Sequence, residues 1–151
     1  MKISAAIYML INSPYIPEFQ IHQLLHAEEK LYMLHRKIKT GMTYRMENEM
    51  IDIIDKGKNA FFIIRQTAYM KDGKGGEEKA FYIDHNLFLR GVGGFGFKGK
   101  NISAVIPNNP TRDPDYIFKD KTFPSQAFFY RLCNDANPLH IDPNIAAMAG
   151  F

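Results

Sequence analysis

Asp135 and His140 lie five residues apart, with Pro138 between them. Proline blocks a regular helix through this stretch, so the two side chains can converge across a loop. A carboxylate beside an imidazole is an acid–base pair: one group takes a proton from water while the other gives one. Asn137 brings both a donor and an acceptor and can fix a water or a substrate carbonyl. The competing reading is structural, because Asp and Asn in loops commonly bond their own backbone. Spacing alone leaves both open. Asp142 before Pro143 reads as an N-cap followed by the first helical residue, opening a short helix over residues 144–149 that Gly150 stops. Cys133 has no histidine placed by a motif and reads as a buried small residue.

A second cluster is the glycine-rich run at residues 91–100. Gly91, Gly93 and Gly96 fit G-x-G-x-x-G, but a dinucleotide site needs a helix opening directly after it. Residues 97–101 carry further turn signals instead, and Asp113, the acid about 20 positions on, is followed by Pro114. Two readings remain. One is a plain glycine-rich bend. The other is an anion-binding loop, since residues 85–112 hold no acid while Arg90, Lys98, Lys100 and Arg112 are basic. His22, His26 and His35 lack metal-ligand spacing with a carboxylate partner and read as core or surface histidines. His85 reads as sheet packing, and no metal site is expected.

The elements that must position these groups are clearest in the middle of the chain. Residues 44–55, 59–70 and 77–90 are strand-like runs joined by short glycine-bearing turns, and residues 59–70 are rich in Phe, Ile, Thr and Tyr, as strands prefer. They predict an antiparallel meander. Residues 17–39 are ambiguous: Ile21, Leu24, Leu25, Leu31, Tyr32 and His35 suit one helix face, yet residues 31–36 also alternate. Propensity favours helix there. Residues 101–122, with Pro107, Pro110 and Pro114, read as an extended connector. A second unit begins near Phe123, and its roughly 30 residues are too few to bury a core alone.

The 151 residues are 46% hydrophobic and 23% charged, with 12 Phe and 8 Tyr. That composition excludes a disordered or collagen-like chain. A net charge of +3 without a long basic run does not predict nucleic-acid binding. One cysteine forms no internal disulfide and excludes a Cys-rich zinc module. No stretch approaches the ~20 apolar residues of a membrane span. Residues 3–11, behind Lys2, read as an ordinary buried segment, with a short signal peptide as the alternative. No peroxisomal Ser-Lys-Leu address stands at Phe151.

The run Tyr130-Arg131-Leu132-Cys133-Asn134-Asp135-Ala136-Asn137-Pro138-Leu139-His140-Ile141-Asp142-Pro143 resembles the signature of the MaoC-like enoyl-CoA hydratase 2 family, as found in the hydratase part of peroxisomal multifunctional enzymes of type 2. Phe88-Leu89-Arg90-Gly91-Val92-Gly93-Gly94-Phe95-Gly96 is similar to the family's glycine-rich strand end. Asp52-Ile53-Ile54-Asp55-Lys56-Gly57 is similar to one of its turns, and Leu25-His26-Ala27-Glu28-Glu29 to its Leu-His-Gly-Glu-Gln block. The resemblance runs from about Ile16 to Phe151. Cys133-Asn134 replaces the family's Ser-Gly, so Asn134 stands where glycine's backbone freedom is usual.

The resemblance implies an α+β, hot-dog-type curved antiparallel sheet wrapped on a helix: residues 16–100 a partial first repeat, 101–122 the connector, 123–151 the start of a second, and 1–15 unassigned. It makes residues 28–37 a strand. It implies reversible hydration of trans-2-enoyl-CoA to (3R)-3-hydroxyacyl-CoA in fatty-acid β-oxidation. Asp135, His140 and Asn137 would be catalytic, and Arg90, Gly93, Gly94, Gly96 and Lys98 would bind CoA. It further implies no metal or organic cofactor, a homodimer in the intact parent, and a peroxisomal location. The family's central helices would lie before residue 16 and after 151, as would the carbonyl donor that follows the signature, so a fragment is expected. The alternative function is a non-catalytic acyl-CoA-binding or dimerising piece.

Overall fold

The computed structural model describes residues 12, 16, 19–35, 38–100 and 108–151. Residues 1–11, where the signal-peptide question falls, and 101–107 of the expected connector lie outside them. The chain divides into two units, Met1–Ile102 and Ser103–Phe151.

In the first unit β1 (Leu24–Met33), β2 (Arg45–Asp55), β3 (Ala60–Lys71) and β4 (Glu77–Leu89) form one antiparallel sheet in the order β1-β4-β3-β2. Strands β2 to β4 are the expected meander. Aromatic and β-branched runs suit a pleated, half-buried surface, and the intervening turns are tight. In the β2–β3 turn the Asp55 carboxylate accepts from Gly57 N at 2.7 Å, while Gly57 takes a φ of 80°.

Among the described residues of 17–39, the helix favoured by propensity does not form. A single 3-10 turn, Ile21–Gln23, leads into β1, which pairs with β4 from Leu24 opposite Leu89 to Met33 opposite Phe81. Helix propensity is a weak prior, and the open edge of β4 offers this segment a ladder of backbone hydrogen bonds, broken only by a register shift between His26 and Glu28. The strand implied by the family resemblance is correct in type and begins four residues earlier than expected.

Pairing sorts the side chains by face. Ala60 opposite Leu89, Phe62 opposite Leu87 and Ile64 opposite His85 line one face. There Phe62, Ile64, Leu87 and Leu89 are fully buried, and Ile16, Phe19, Leu24, Met50, Ile53 and Phe95 pack against this cluster. His85 therefore stands in an apolar row. On the other face Arg65 makes a fork to buried Asp84 at 2.7 and 2.8 Å and lies 4.2 Å from the Tyr82 ring centre.

In the second unit residues 108–122 are exposed and form neither helix nor strand. Two short helices follow, α1 (Gln126–Leu132) and α2 (Pro143–Met148), with a 3-10 turn at Pro138–His140 between them. Among the described residues no helix is long and apolar enough to cross a membrane.

Candidate active site

The signature segment is built on two chain reversals. Helix α1 ends at Leu132, and Asn134 turns the chain with a φ of 70°, the one positive value among the described residues other than glycine. Asparagine reaches this left-handed region more readily than most residues. At this position of the Cys133-Asn134 departure, Asn134 takes a conformation that a glycine adopts without strain. Asn134→Ala is expected to cost ~1–2 kcal/mol, with Asn134→Gly tolerated, as a shift in urea midpoint will show. Cys133 itself is exposed, which corrects the expectation of a buried residue. It sits at the end of a short helix with no buried residues, its thiol 3.6 Å from the Phe129 carbonyl.

Beyond this reversal, Asp135 Oδ1 accepts from Asn137 N at 3.2 Å and Oδ2 meets His140 Nδ1 at 2.5 Å. Asn137 caps the 3-10 turn, its Oδ1 accepting from Leu139 N at 3.1 Å, with Pro138 in the first position. Asp135 and Asn137 thus each bond their own loop, as the structural reading expects, and the second Asp135 carboxylate oxygen still reaches the imidazole. The His140 side chain is 44% exposed and that of Asp135 23%, and the Tyr130 ring lies 5.5 Å from the imidazole. Past the turn, Asp142 Oδ1 accepts from Asn144 N at 2.8 Å with Pro143 at the first helical position. Gly150 N and Phe151 N return to the carbonyls of Ala147 and Ala146, the hydrogen-bond pair of a glycine-terminated helix.

The bond to His140, first, and the Asn137 amide hold the Asp135 carboxyl below its ordinary 3.8, against partial desolvation. An ionised carboxylate only accepts hydrogen bonds, so Nδ1 of His140 donates to it and Nε2 is the ring nitrogen left to face a reacting group. His140→Ala is expected to return the Asp135 carboxyl toward 3.8, read by NMR titration of its carboxyl carbon. The sign for stability follows from a lowered folded pKa. The contribution is present above 3.8 and is lost as pH falls below it toward the folded value, and the variant lacks that acid loss.

The glycine-rich loop is organised from within. Asp55 Oδ1 accepts from Gly94 N at 3.1 Å and Oδ2 from Gly96 N at 2.6 Å. These bonds, Gly94 and Gly96 first, hold the Asp55 carboxyl below its ordinary 3.8. Asn59 Oδ1 accepts from Gly91 N at 3.0 Å, and buried Asp52 accepts from Lys100 N at 3.0 Å. The amides that an anion-binding loop would turn outward at Gly94 and Gly96 are thus occupied by the protein's own carboxylate. Gly93 lies so close to the β2–β3 turn that a Cβ would meet Gly57 O at 2.4 Å. Of the expected cations, Lys98 and Lys100 are exposed, Arg90 N donates to Gln23 O, and Arg112 pairs with Asp115 at 2.6 Å. No helix follows Gly96 through residue 100, as the turn signals there require, so the dinucleotide reading has no structural context. Sequence reasoning missed Asp52 and Asp55 as the loop's anchors. Their signal was two acids and a glycine closing a strand, in a chain whose glycine loop has no acid of its own.

The four-stranded sheet is that of a MaoC-like hot-dog protein. A crystal structure of a MaoC-like dehydratase from Phytophthora capsici superimposes with a TM-score of 0.58 at 33% identity, covering 89% of this chain and 44% of that one. Residues 3–91 match the MFE-2 hydratase 2 N-terminal domain, and the chain belongs to this family. It is 36% identical over 140 residues to the peroxisomal hydratase-dehydrogenase-epimerase of Neurospora crassa, covering 90% of this chain and 15% of that protein. It is 38% identical over 138 residues to a probable enoyl-CoA hydratase 2 of Dictyostelium discoideum, covering 89% of this chain and 45% of that protein. The chain thus spans less than half the length of either relative.

Proposed function

We propose that this chain supplies the acid–base pair for reversible hydration of trans-2-enoyl-CoA to (3R)-3-hydroxyacyl-CoA in fatty-acid β-oxidation. The observation that carries the reading is the 2.5 Å contact of Asp135 Oδ2 with His140 Nδ1 across the Pro138 turn. A water held at this pair loses a proton to His140 Nε2 or the carboxylate as its oxygen adds to C3 of the substrate, and C2 takes a proton back. The thioester carbonyl oxygen gains negative charge in that step and is stabilised by a hydrogen-bond donor. Asn137, whose Oδ1 is committed to Leu139 N, offers its amide N–H groups to the water or the substrate. This chemistry calls on no metal or organic cofactor, because CoA is part of the substrate.

In this reading Arg90 and Lys98 serve the phosphates of CoA through their charges. Gly93, Gly94 and Gly96 serve by holding the loop's shape around Asp55. The protein works in the peroxisome, as does the Neurospora relative by its name, and its intact form is a homodimer. The test is loss of enoyl-thioester absorbance with crotonyl-CoA, followed by chiral analysis of the product. Turnover to the 3R product supports the assignment. Tight thioester binding without turnover, by a protein that carries the whole family domain, rejects it in favour of a binding or dimerising role.

A further inference from the structure

We propose that His26, Glu29 and His85 form a tetrahedral site for Zn2+, with water in the fourth position. On a regular strand, residues three apart face opposite sides. In β1 the register shifts between His26 and Glu28, so Ala27 is an extra residue. That bulge puts His26, opposite Leu87, and Glu29, opposite His85, on one face beside the buried imidazole. The bulge thus brings a carboxylate beside His26 that strand alternation in the sequence would place on the other face.

Glu29 Oε2 lies 3.4 Å from His26 Nε2 and 3.4 Å from His85 Nδ1, and all three ligand atoms fall within 4.8 Å of one another. A charge-assisted hydrogen bond is shorter, about 2.7–2.9 Å. Among the described residues His85 Nδ1, in a residue only 3% exposed, has no hydrogen-bond partner. The 3.4 Å spacing has another meaning. Zinc bonds of about 2.0–2.1 Å in a tetrahedron place ligand atoms ~3.3–3.4 Å apart. The same bond length in an octahedron gives only about 3.0 Å. The remaining separation, between the two histidine nitrogens, closes by rotation of His26 and Glu29, whose side chains are 37% and 40% exposed. Two imidazoles and one carboxylate suit zinc better than calcium or magnesium. Three protein ligands leave the fourth position open.

The test is titration of the chelator-treated 151-residue chain with Co2+, followed by displacement with Zn2+. One equivalent of Co2+ is expected to give the intense visible absorption of a tetrahedral ion, which Zn2+ abolishes. His26→Ala and Glu29→Gln, both at half-exposed side chains, are each expected to weaken binding by at least about 100-fold, more than the loss of an outer-shell partner, with circular dichroism unchanged. Asp135→Asn leaves binding as it was, which separates this site from the acid–base pair. Absence of one-to-one binding, or binding indifferent to both His26→Ala and Glu29→Gln, overturns the proposal.

Discussion

Asp135→Asn is expected to lower kcat/KM for crotonyl-CoA hydration by ~10²–10⁴-fold, the usual worth of a positioned general acid or base. The substitution conserves shape. Its side-chain oxygen still serves the loop by accepting from Asn137 N, the bond that Asp135 makes at 3.2 Å. What it removes is the charge that fixes His140 with its proton on Nδ1, across the 2.5 Å contact. An amide can also donate toward Nδ1 and so stabilise the opposite tautomer, whose Nε2 is no longer a base. Circular dichroism should stay constant while the absorbance decay of the enoyl thioester slows. A loss of less than about tenfold would set Asp135 outside the proton-transfer step.

Gly93→Ala is expected to destabilise the first unit by ~1–3 kcal/mol, the range for forcing atoms into filled space. The added carbon would meet Gly57 O at 2.4 Å and both Asn59 N and Asn59 O at 2.8 Å. All three are backbone atoms of the β2–β3 turn, so no flexible side chain can swing aside. The loop must lift, and lifting it stretches the bonds from Gly94 and Gly96 to Asp55. Urea unfolding reads the lost stability. Hydrogen exchange at the Gly94 and Gly96 amides reads the mechanism, with faster exchange expected at both. Unchanged exchange there, with stability lost, would place the strain elsewhere.

Residue types announced the parts of the fold that depend on local pattern. Strands β2 to β4 fall within one residue of the runs seen in sequence, because glycine turns bound them and aromatic and β-branched side chains fill β3 and β4. Strand β1 was hidden, since Leu24 to Lys30 are mostly good helix formers and only pairing with β4 decides their state. At the candidate site, Asp135, Asn137 and His140 meet within six residues, a span that sequence spacing can resolve around one proline. The Asp55 clasp joins residues 39 and 41 positions apart, beyond any local signal. The convergence of His26 and Glu29 on His85 depends on a bulge at Ala27, and one extra residue undoes the two-residue alternation on which strand reading rests.

The central claim is that one water is worked on jointly by a carboxylate and an imidazole. The measurement that tests it most directly is a double-mutant cycle on kcat/KM for crotonyl-CoA in the intact protein, using Asp135→Asn, His140→Gln and the two combined. If the pair acts as a unit, the first substitution removes what the second would have removed, and the double variant is no slower than the worse single one. Losses that multiply, each substitution lowering the rate by its full factor whether or not the other is present, would contradict the claim.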